Sequence, residues 1–313
     1  MNTVIRMHTT GAPSVLLSEQ LETGAPGPGE VRLRQHAIGV NHVDTMVRDG
    51  RLPMPLPAIP GFEGAGTIDA VGPGVGLRVG QRAAYFFAAG AYACERLVPA
   101  RSLVPLPDDI GDAQAAAFLA KGLTAWMGLR ALVQLEAGQT VLVLGASGGV
   151  GAIMARWARA LGATVIGVAG SIAKLEQVKS GAHHALHAGD PEVLAKLRAI
   201  APDGVDVVYD FVGRAVETLA LGAVRDGGAI VAIGAASGQP QFAPDELARR
   251  SVRVVAGSTP QHATAEAAGE LFAAIRAGLF DDLPIVRYPL AEAAQAHADI
   301  AARTREGLAI LIL

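Results

Sequence analysis

The sequence contains one cysteine, Cys94, among its 313 residues. A single cysteine excludes an intramolecular disulfide and any cysteine-cluster metal site, and its expected role is a small apolar residue in a strand. No apolar run approaches the roughly twenty residues that span a bilayer. The first fifteen residues, MNTVIRMHTTGAPSV, lack the long apolar core of a secretory signal. These absences predict a cytoplasmic protein with no membrane partner.

Charge is also sparse, at 18% of residues, with a formal net charge of −3. This balance argues against a nucleic-acid partner or an anionic membrane surface. The hydrophobic fraction of 51% is typical of a folded globular chain. At this length, two domains with separate cores are expected.

The most informative stretch runs from Thr140 to Ser171 and reads TVLVLGASGGVGAIMARWARALGATVIGVAGS. A buried strand, a glycine turn, a helix and a second strand follow one another, which is the context that a dinucleotide-binding βαβ unit requires. Gly145 and Gly148 allow the backbone to turn and approach a phosphate, and Gly151 allows the helix to pack on the strand. The alternative is a glycine-rich turn without a ligand.

The end of the second strand indicates which nucleotide binds. A site for NAD usually has an Asp or Glu there, whereas this chain continues Gly170-Ser171-Ile172-Ala173-Lys174. Gly170 and Ser171 offer an N–H and a hydroxyl, and Lys174 offers a charge suited to a 2′-phosphate. NADP(H) is therefore the predicted cofactor. The alternative is a helix-capping serine followed by a solvated lysine.

The pattern along the chain predicts an α/β fold with two domains. Short strands and Pro/Gly turns fill residues 1–112, and an alanine-rich helix begins at Asp112. Strands then alternate with helices, which indicates a doubly wound parallel sheet. The tail predicts helices, including one to Thr304, and a last strand that returns to the β-rich domain. The predicted domains are residues 1–118 completed by 263–313, and residues 119–262.

Several separated segments resemble the zinc-free quinone oxidoreductase (zeta-crystallin-like) branch of the medium-chain dehydrogenase/reductase superfamily. They are the glycine turn, Gly170-Ser171-x-x-Lys174, GVNHVDTMVRDG from Gly39 to Gly50, PGFEGAG from Pro60 to Gly66, and KGLTA from Lys121 to Ala125. The resemblance implies a GroES-like domain, a Rossmann domain, NADPH and often a homodimer.

The resemblance also implies the site residues. Asn41 and Thr124 would border the nicotinamide and its ribose as the catalytic pair. The other cofactor-binding residues would be Lys121, Ala146, Ser147, Gly148, Gly149, Val150, Gly170, Ser171, Lys174, Gly234, Ala235 and Ser258. Members of the family often place a Tyr or His beside the 2′-phosphate, at the position where this chain has Ala188. In this chain His187 or His184 would have to substitute for that residue.

The substrate pocket is expected to contain Met46, Leu52 and Tyr92. The family often has aromatic residues at or near the first two positions, so the pocket should be more aliphatic here. Tyr92 is the one tyrosine considered as an acid, although a strand aromatic with its hydroxyl at the surface is the favoured interpretation. No metal is expected, because Asn41, Phe62 and Lys121 stand where the zinc enzymes of the superfamily have ligands.

The predicted function is metal-free hydride transfer from NADPH to a quinone, which needs no placed acid because water can protonate the product oxygens. The first alternative is an NADPH-dependent reductase of α,β-unsaturated carbonyls (an enone or enoyl reductase), which would need Tyr92 or a bound water as acid. The second is a non-catalytic NADPH-binding redox sensor or structural protein.

Overall fold

The structure is a computed structural model that describes residues 1–302 and 306–313. The elements of the first part of the chain are β1 (Asn2–Arg6), β2 (Leu17–Leu21), β3 (Glu30–Gly39), α1 (His42–Arg48), β4 (Glu63–Val71), β5 (Arg82–Phe86), β6 (Glu95–Pro99), β7 (Leu103–Pro105) and α2 (Asp112–Trp126). A π-helical segment, Met127–Leu132, continues α2.

The elements that follow are β8 (Thr140–Leu144), α3 (Gly149–Ala160), β9 (Thr164–Ala169), α4 (Leu175–Lys179), β10 (His184–His187), α5 (Val193–Ile200), β11 (Val205–Asp210), α6 (Glu217–Ala223), β12 (Val224–Ala232), α7 (Pro244–Arg249), β13 (Arg253–Val255), α8 (Thr259–His262), α9 (Ala265–Arg276), β14 (Ile285–Pro289), α10 (Ala293–Ala302) and β15 (Leu308–Ile312). Thr304, the predicted end of the last helix, lies outside the described residues.

The chain divides into two units, one of residues 1–120 and 283–313 and the other of residues 121–282. Residues 263–282 therefore group with the second unit, whereas the sequence prediction placed them with the first. The reason is packing: Leu271 of α9 lies so close to Gly122 of α2 that a β-carbon at residue 122 would be 2.4 Å from its Cδ1. The exact limits of the two domains stay a prediction.

The first unit is built on a mixed sheet in the order β14-β15-β3-β4-β5-β7, with β6 also paired to β3. The last strand of the chain runs antiparallel to β3, with Leu311 opposite Ile38, so the predicted return of the tail to the β-rich domain is confirmed. Alternate side chains of β3, including Val31 and Leu33, are fully buried in the core of this unit. This alternation is typical of a strand with one buried face.

The second unit is a parallel sheet in the order β10-β9-β8-β11-β12-β13. The strand order reverses between β8 and β11, which makes this a doubly wound Rossmann sheet. The predicted α/β class, with a β-rich unit and a Rossmann unit, is confirmed. Ligands of such sheets bind outside the carboxyl ends of the strands near the reversal. Residues 145, 170, 211, 233 and 256, which directly follow five of these strands, therefore mark the relevant edge.

Candidate active site

The glycine turn after β8 has the close packing that its sequence predicted. Gly145 has φ +78°, a conformation that favours glycine. A β-carbon on Gly151, in the first turn of α3, would lie 2.2 Å from the carbonyl oxygen of Gly145. The helix therefore begins directly against the turn. The first N–H groups of a helix have no carbonyl of a preceding turn to donate to, so those of α3 are placed to donate to an anion beside the exposed Gly148.

The predicted pyrophosphate residues contribute to this turn in different ways. Ser147, Gly149 and Val150 are partly exposed at the start of α3. Ala146 is buried, at 2% exposure, and its N–H donates to the carbonyl oxygen of Val168 over 3.0 Å. Ala146 therefore shapes the turn by packing and is not available as a donor.

The residues after β9 form a short open turn. Gly170 is exposed, and a β-carbon there would meet no heavy atom within 4 Å. Ser171 precedes a 3-10 turn, Ile172–Lys174, in which the N–H of Lys174 donates to the carbonyl oxygen of Ser171 over 3.2 Å. The structure thus gathers Gly170, Ser171 and the half-buried Lys174 at one strand end, with no carboxylate among residues 170–174.

The two histidines considered for the 2′-phosphate lie at opposite ends of the neighbouring strand β10. His187 is opposite Ala169, at the carboxyl end of β9, and its imidazole packs beside Gly189. His184 is opposite Ile166, three residues back. Of the two, His187 is placed at the edge of the sheet that a ligand would use.

Asp210 organises the loops beside the strand reversal, and the sequence analysis did not single it out. Its Oδ1 accepts from the N–H groups of Val212 and Gly213 at 2.8 and 2.9 Å. Its carbonyl oxygen accepts from the N–H of Gly234 at 2.8 Å. Burial raises the pKa of this fully buried carboxyl, and the two backbone donors oppose that rise. Asp210 therefore fixes Gly234, and with it Ala235, at the carboxyl end of β12.

Thr124 of α2 is joined to the segment that follows β13. Its hydroxyl lies 3.0 Å from the hydroxyl of Thr259, the first residue of α8. The exposed Ser258 stands at the N-cap position of the same helix, where its side chain makes no capping hydrogen bond. Thr124 and Ser258, which the sequence placed in one cofactor site, are therefore brought together. Lys121, one turn earlier on α2, is only 5% exposed, so little of its side chain is available to an external ligand.

Asn41 lies at the N-terminus of α1 and is held by a buried glutamate. Its side-chain nitrogen donates to Oε2 of Glu63 over 2.8 Å, and the other oxygen of Glu63 accepts from the N–H of Ala120 at 2.6 Å. Gly39 makes room for this carboxylate, because a β-carbon there would lie 2.6 Å from the carboxyl carbon of Glu63. The sequence contained Glu63 in the PGFEGAG segment, but no local pattern revealed its partner 22 residues away.

Tyr92 lies in a buried polar network and not at the surface, so the favoured interpretation of its hydroxyl was wrong. It is fully buried, donates to Oδ2 of Asp44 over 3.1 Å and lies 2.8 Å from Nε2 of His297. Asp44 also accepts from the N–H of Asn41 at 2.8 Å. Burial, with the Asp44 carboxylate, raises the pKa of Tyr92 well above its usual value. A fully buried hydroxyl of this kind cannot reach a substrate, which corrects its assignment to the pocket and as an acid.

His297 completes this network as a neutral imidazole. It is fully buried, and burial together with the nearby Arg48 charge lowers its pKa to about 3. Arg48 is itself 5% exposed, and burial lowers its pKa too. The network ties α1, which presents Asn41, to α10. Its role is therefore structural.

The other two predicted pocket residues remain accessible on the first unit. Met46 of α1 is half-buried and Leu52 is 39% exposed. An aromatic group occurs elsewhere in this unit: Phe62 and Phe87 stack with centroids 5.8 Å apart. The sequence analysis missed this pair because its members are 25 residues apart and carry no motif.

Comparison with known proteins agrees with these features. The alcohol dehydrogenase GroES-like domain model matches residues 27–108, and the zinc-binding dehydrogenase model matches residues 149–274. A 2-haloacrylate reductase of a Burkholderia species is 37% identical over 98% of this chain and 97% of that protein. A quinone oxidoreductase of Pseudomonas aeruginosa is 37% identical over 98% of both chains.

A solved structure matches the fold along the whole chain. The crystal structure of Escherichia coli quinone oxidoreductase complexed with NADPH matches with a TM-score of 0.93 and 33% identity, over 99% of this chain and 100% of that one. The chain belongs to the quinone oxidoreductase branch of the medium-chain dehydrogenase/reductase superfamily.

Within this branch, the metal chemistry of the zinc dehydrogenases has no counterpart in the donor set of this chain. Asn41, Phe62 and Lys121 offer an amide, a ring and an ammonium group at the positions compared above. Among residues 1–302 and 306–313, no group of three or more His, Cys, Asp and Glu could hold a metal ion. In the same residues, no helix is long and apolar enough to cross a membrane.

Proposed function

We infer that this member of the quinone oxidoreductase branch is an NADPH-dependent quinone oxidoreductase that works without a metal. The observation that carries the inference is the turn from Gly145 to Gly151, packed as a phosphate cradle at the reversal of a parallel sheet. The second strand of the same unit ends without a carboxylate and with Lys174, which suits a 2′-phosphate. Relatives named quinone oxidoreductase match the whole length of the chain.

The residues present fit NADPH. In this proposal Ser147, Gly148, Gly149 and Val150 hold the pyrophosphate. Gly170, Ser171 and Lys174 bind the 2′-phosphate, with His187 in place of the aromatic or histidine missing at Ala188. Thr124, Gly234, Ala235 and Ser258 border the nicotinamide end, where Asp210 and Thr259 hold their segments in place. Ala146 shapes the pyrophosphate-binding turn by packing. Lys121 is assigned to the cofactor site, to which it offers only a small exposed surface.

When bound, NADPH would supply a hydride to the acceptor. Asn41 would orient the reacting groups, because its amide is fixed by the buried carboxylate of Glu63 and by the capping of α1 through Asp44. Pre-organisation of this kind lowers the barrier by positioning, without acid or base chemistry. A quinone is the acceptor that suits this site best, since water can protonate its oxygens and the one tyrosine considered as an acid is buried.

A second candidate is the reduction of α,β-unsaturated carbonyl compounds. It is favoured by the relative named 2-haloacrylate reductase, at 37% identity over nearly the whole chain. Such a reaction leaves a carbanion-like centre that must receive a proton, for which this site would use a bound water. The protein is further proposed to be cytoplasmic and a homodimer, with neither a nucleic-acid nor a membrane partner.

Steady-state oxidation of NADPH and NADH with a panel of quinones and of 2-haloacrylates tests both candidates. Turnover with quinones and NADPH, unchanged by chelators, is the expected result. Turnover with haloacrylates alone would replace the first candidate by the second. Tight binding of NADPH without turnover on any acceptor would favour the redox-sensing or structural alternative.

A further inference from the structure

Arg156 is a buried arginine in α3, the helix that begins at the glycine turn. It is 5% exposed, and its Nη1 donates to the carbonyl oxygen of Ala152, one turn earlier, over 3.0 Å. Nε and Nη2 donate to the two carboxylate oxygens of Asp282 over 2.7 and 2.5 Å. The guanidinium lowers the pKa of the Asp282 carboxyl, so the pair is charged. A guanidinium held by a bidentate pair and a backbone carbonyl has a fixed position.

The same guanidinium also contacts the end of α4. Nη2 of Arg156 donates to the hydroxyl oxygen of Ser180, the residue that directly follows this helix, over 2.6 Å. The Ser180 hydroxyl donates its own proton to the carbonyl oxygen of Gln177, over 2.9 Å. The guanidinium lies against the next residue too, because a β-carbon on Gly181 would be 2.7 Å from Nη1. Arg156 therefore connects α3 to the C-terminal end of α4.

The helices α3 and α4 lie side by side on one face of the Rossmann sheet. The strands β8, β9 and β10 are consecutive neighbours, and right-handed crossovers between them place both helices on the same side. An added β-carbon on Gly167 of β9 would meet Val178 of α4 and would lie 3.1 Å from the β-carbon of Ala146 in the glycine turn. The start of α3 and the turn before α4 are the proposed pyrophosphate and 2′-phosphate sites. The placement of the two helices therefore sets the distance between these sites.

Arg156 is too far from either site to touch a phosphate. It lies seven residues after Gly149, the first residue of α3, which is about 10 Å along the helix. Ser180 lies six residues after Lys174, at the other end of α4. Any effect of this contact on the cofactor is therefore carried by the two helices.

We propose that Arg156 is a positioning residue for cofactor preference. By fixing α3 to the end of α4 through Ser180, it holds the two phosphate sites at the separation that NADPH requires. This inference rests on the proposed function, because it takes both sites to bind one cofactor. NADH uses the first site and 2′-AMP uses the second, so neither ligand depends on the separation. The contact with Ser180 therefore increases the preference for NADPH over NADH.

The test measures the Kd of NADPH, NADH and 2′-AMP, together with the free energy of unfolding in urea. Arg156→Met removes every contact of the guanidinium, whereas Ser180→Ala removes only the link to α4, from an exposed position that leaves the fold intact. Both variants raise the Kd of NADPH about fivefold, because the charged contact with the 2′-phosphate is misaligned, and change the other two Kd values less than about twofold. Asp282→Asn is the matched control. It weakens the other link of Arg156, so it lowers stability and leaves the ratio of the NADH and NADPH Kd values unchanged.

A double-mutant cycle with Lys174→Ala separates positioning from general stability. Once Lys174 is absent, Ser180→Ala should leave the ratio of the two Kd values unchanged, because the contact that it aligns is gone. An equal fall of the ratio in both backgrounds would show that the proposal is wrong. So would an unchanged ratio in Arg156→Met and Ser180→Ala, and in either case the proposed function stands. Wild-type protein that binds NADPH no more tightly than NADH would contradict the cofactor of the proposed function, and this inference would fail with it.

Discussion

Adding one methyl group to the turn that follows β8 tests the phosphate cradle directly. In Gly151→Ala the new β-carbon would lie 2.2 Å from the carbonyl oxygen of Gly145 and 2.8 Å from its carbonyl carbon. Ordinary contacts begin at 3.4 Å, so the backbone of the turn or the helix must move by about 1 Å. No flexible side chain can absorb this movement, because both contacts are with backbone atoms.

The magnitude follows from two opposing effects. Overpacking costs about 1–3 kcal/mol, and the upper end applies because main-chain atoms collide. Replacing glycine by alanine inside a helix returns about 1 kcal/mol. The free energy of unfolding should therefore fall by about 2 kcal/mol. The Kd for NADPH should rise at least about tenfold, which corresponds to 1.4 kcal/mol.

The chain provides a matched control and a variant that separates the two effects. Gly269 is an exposed glycine inside α9 with no atom within 4 Å of an added β-carbon, so Gly269→Ala should raise the free energy of unfolding by about 0.5–1 kcal/mol and leave Kd unchanged. In Gly148→Ala the nearest contact is 3.2 Å, so stability should change little while NADPH binding weakens.

Denaturant unfolding and fluorescence titration with NADPH measure these quantities. Equal stability of Gly151→Ala and Gly269→Ala, together with wild-type affinity in Gly151→Ala, would refute both the packing argument and the cradle.

Three further predictions concern charges in the two units. Lys174→Ala should weaken binding of NADPH by about 1–2 kcal/mol and of NADH hardly at all, with Lys179→Ala as a neighbouring control; equal losses for both cofactors would remove Lys174 from the site. The pKa of His297 is lowered from 6.5 to about 3, so between these values the unfolded chain binds a proton that the folded chain does not. The free energy of unfolding should therefore decrease as the pH falls, by about 2 kcal/mol between pH 6.5 and 4.5. His297→Gln should flatten this slope in urea titrations and His184→Gln should not, whereas an unchanged slope in His297→Gln would contradict the burial of a neutral imidazole. Glu63→Gln should lower kcat/KM by about tenfold or more, because one of the two carboxylate acceptors, for the Asn41 amide or for the Ala120 N–H, is lost. The affinity for NADPH should not change. Full activity of Glu63→Gln would show that the reaction does not depend on the position of the Asn41 amide.

The parts of the fold that depend on local chemistry were predictable. The strand, glycine turn, helix and second strand predicted within Thr140–Ser171 are present in that order. Buried parallel strands are continuous apolar runs and tight turns need glycine, so local pattern was sufficient here. The segment after β9 begins with a 3-10 turn, Ile172–Lys174, and continues as α4. The short helix α1 was missed, because it contains β-branched residues and a network of polar side chains in place of a clear amphipathic period.

The parts of the site that depend on distant contacts were not predictable from local pattern. Glu63 reaches Asn41 and Ala120 across 22 and 57 residues, and Tyr92 meets His297 across 205 residues. The buried hydroxyl of Tyr92 was therefore expected at the surface. The 54% exposure of Phe87 also contradicts ordinary hydrophobic preference, so only the tertiary structure could reveal it.

The central claim is that NADPH bound at the turn containing Gly148 reduces a quinone without a metal. It is tested most directly by mixing metal-free protein, NADPH and an equimolar quinone without oxygen, and following the reduced nicotinamide by absorbance. The account predicts oxidation of one NADPH for each quinone reduced, at a rate that chelators do not change. Contradiction would come from NADPH that stays reduced with every quinone tried, or from activity that appears only when zinc is added.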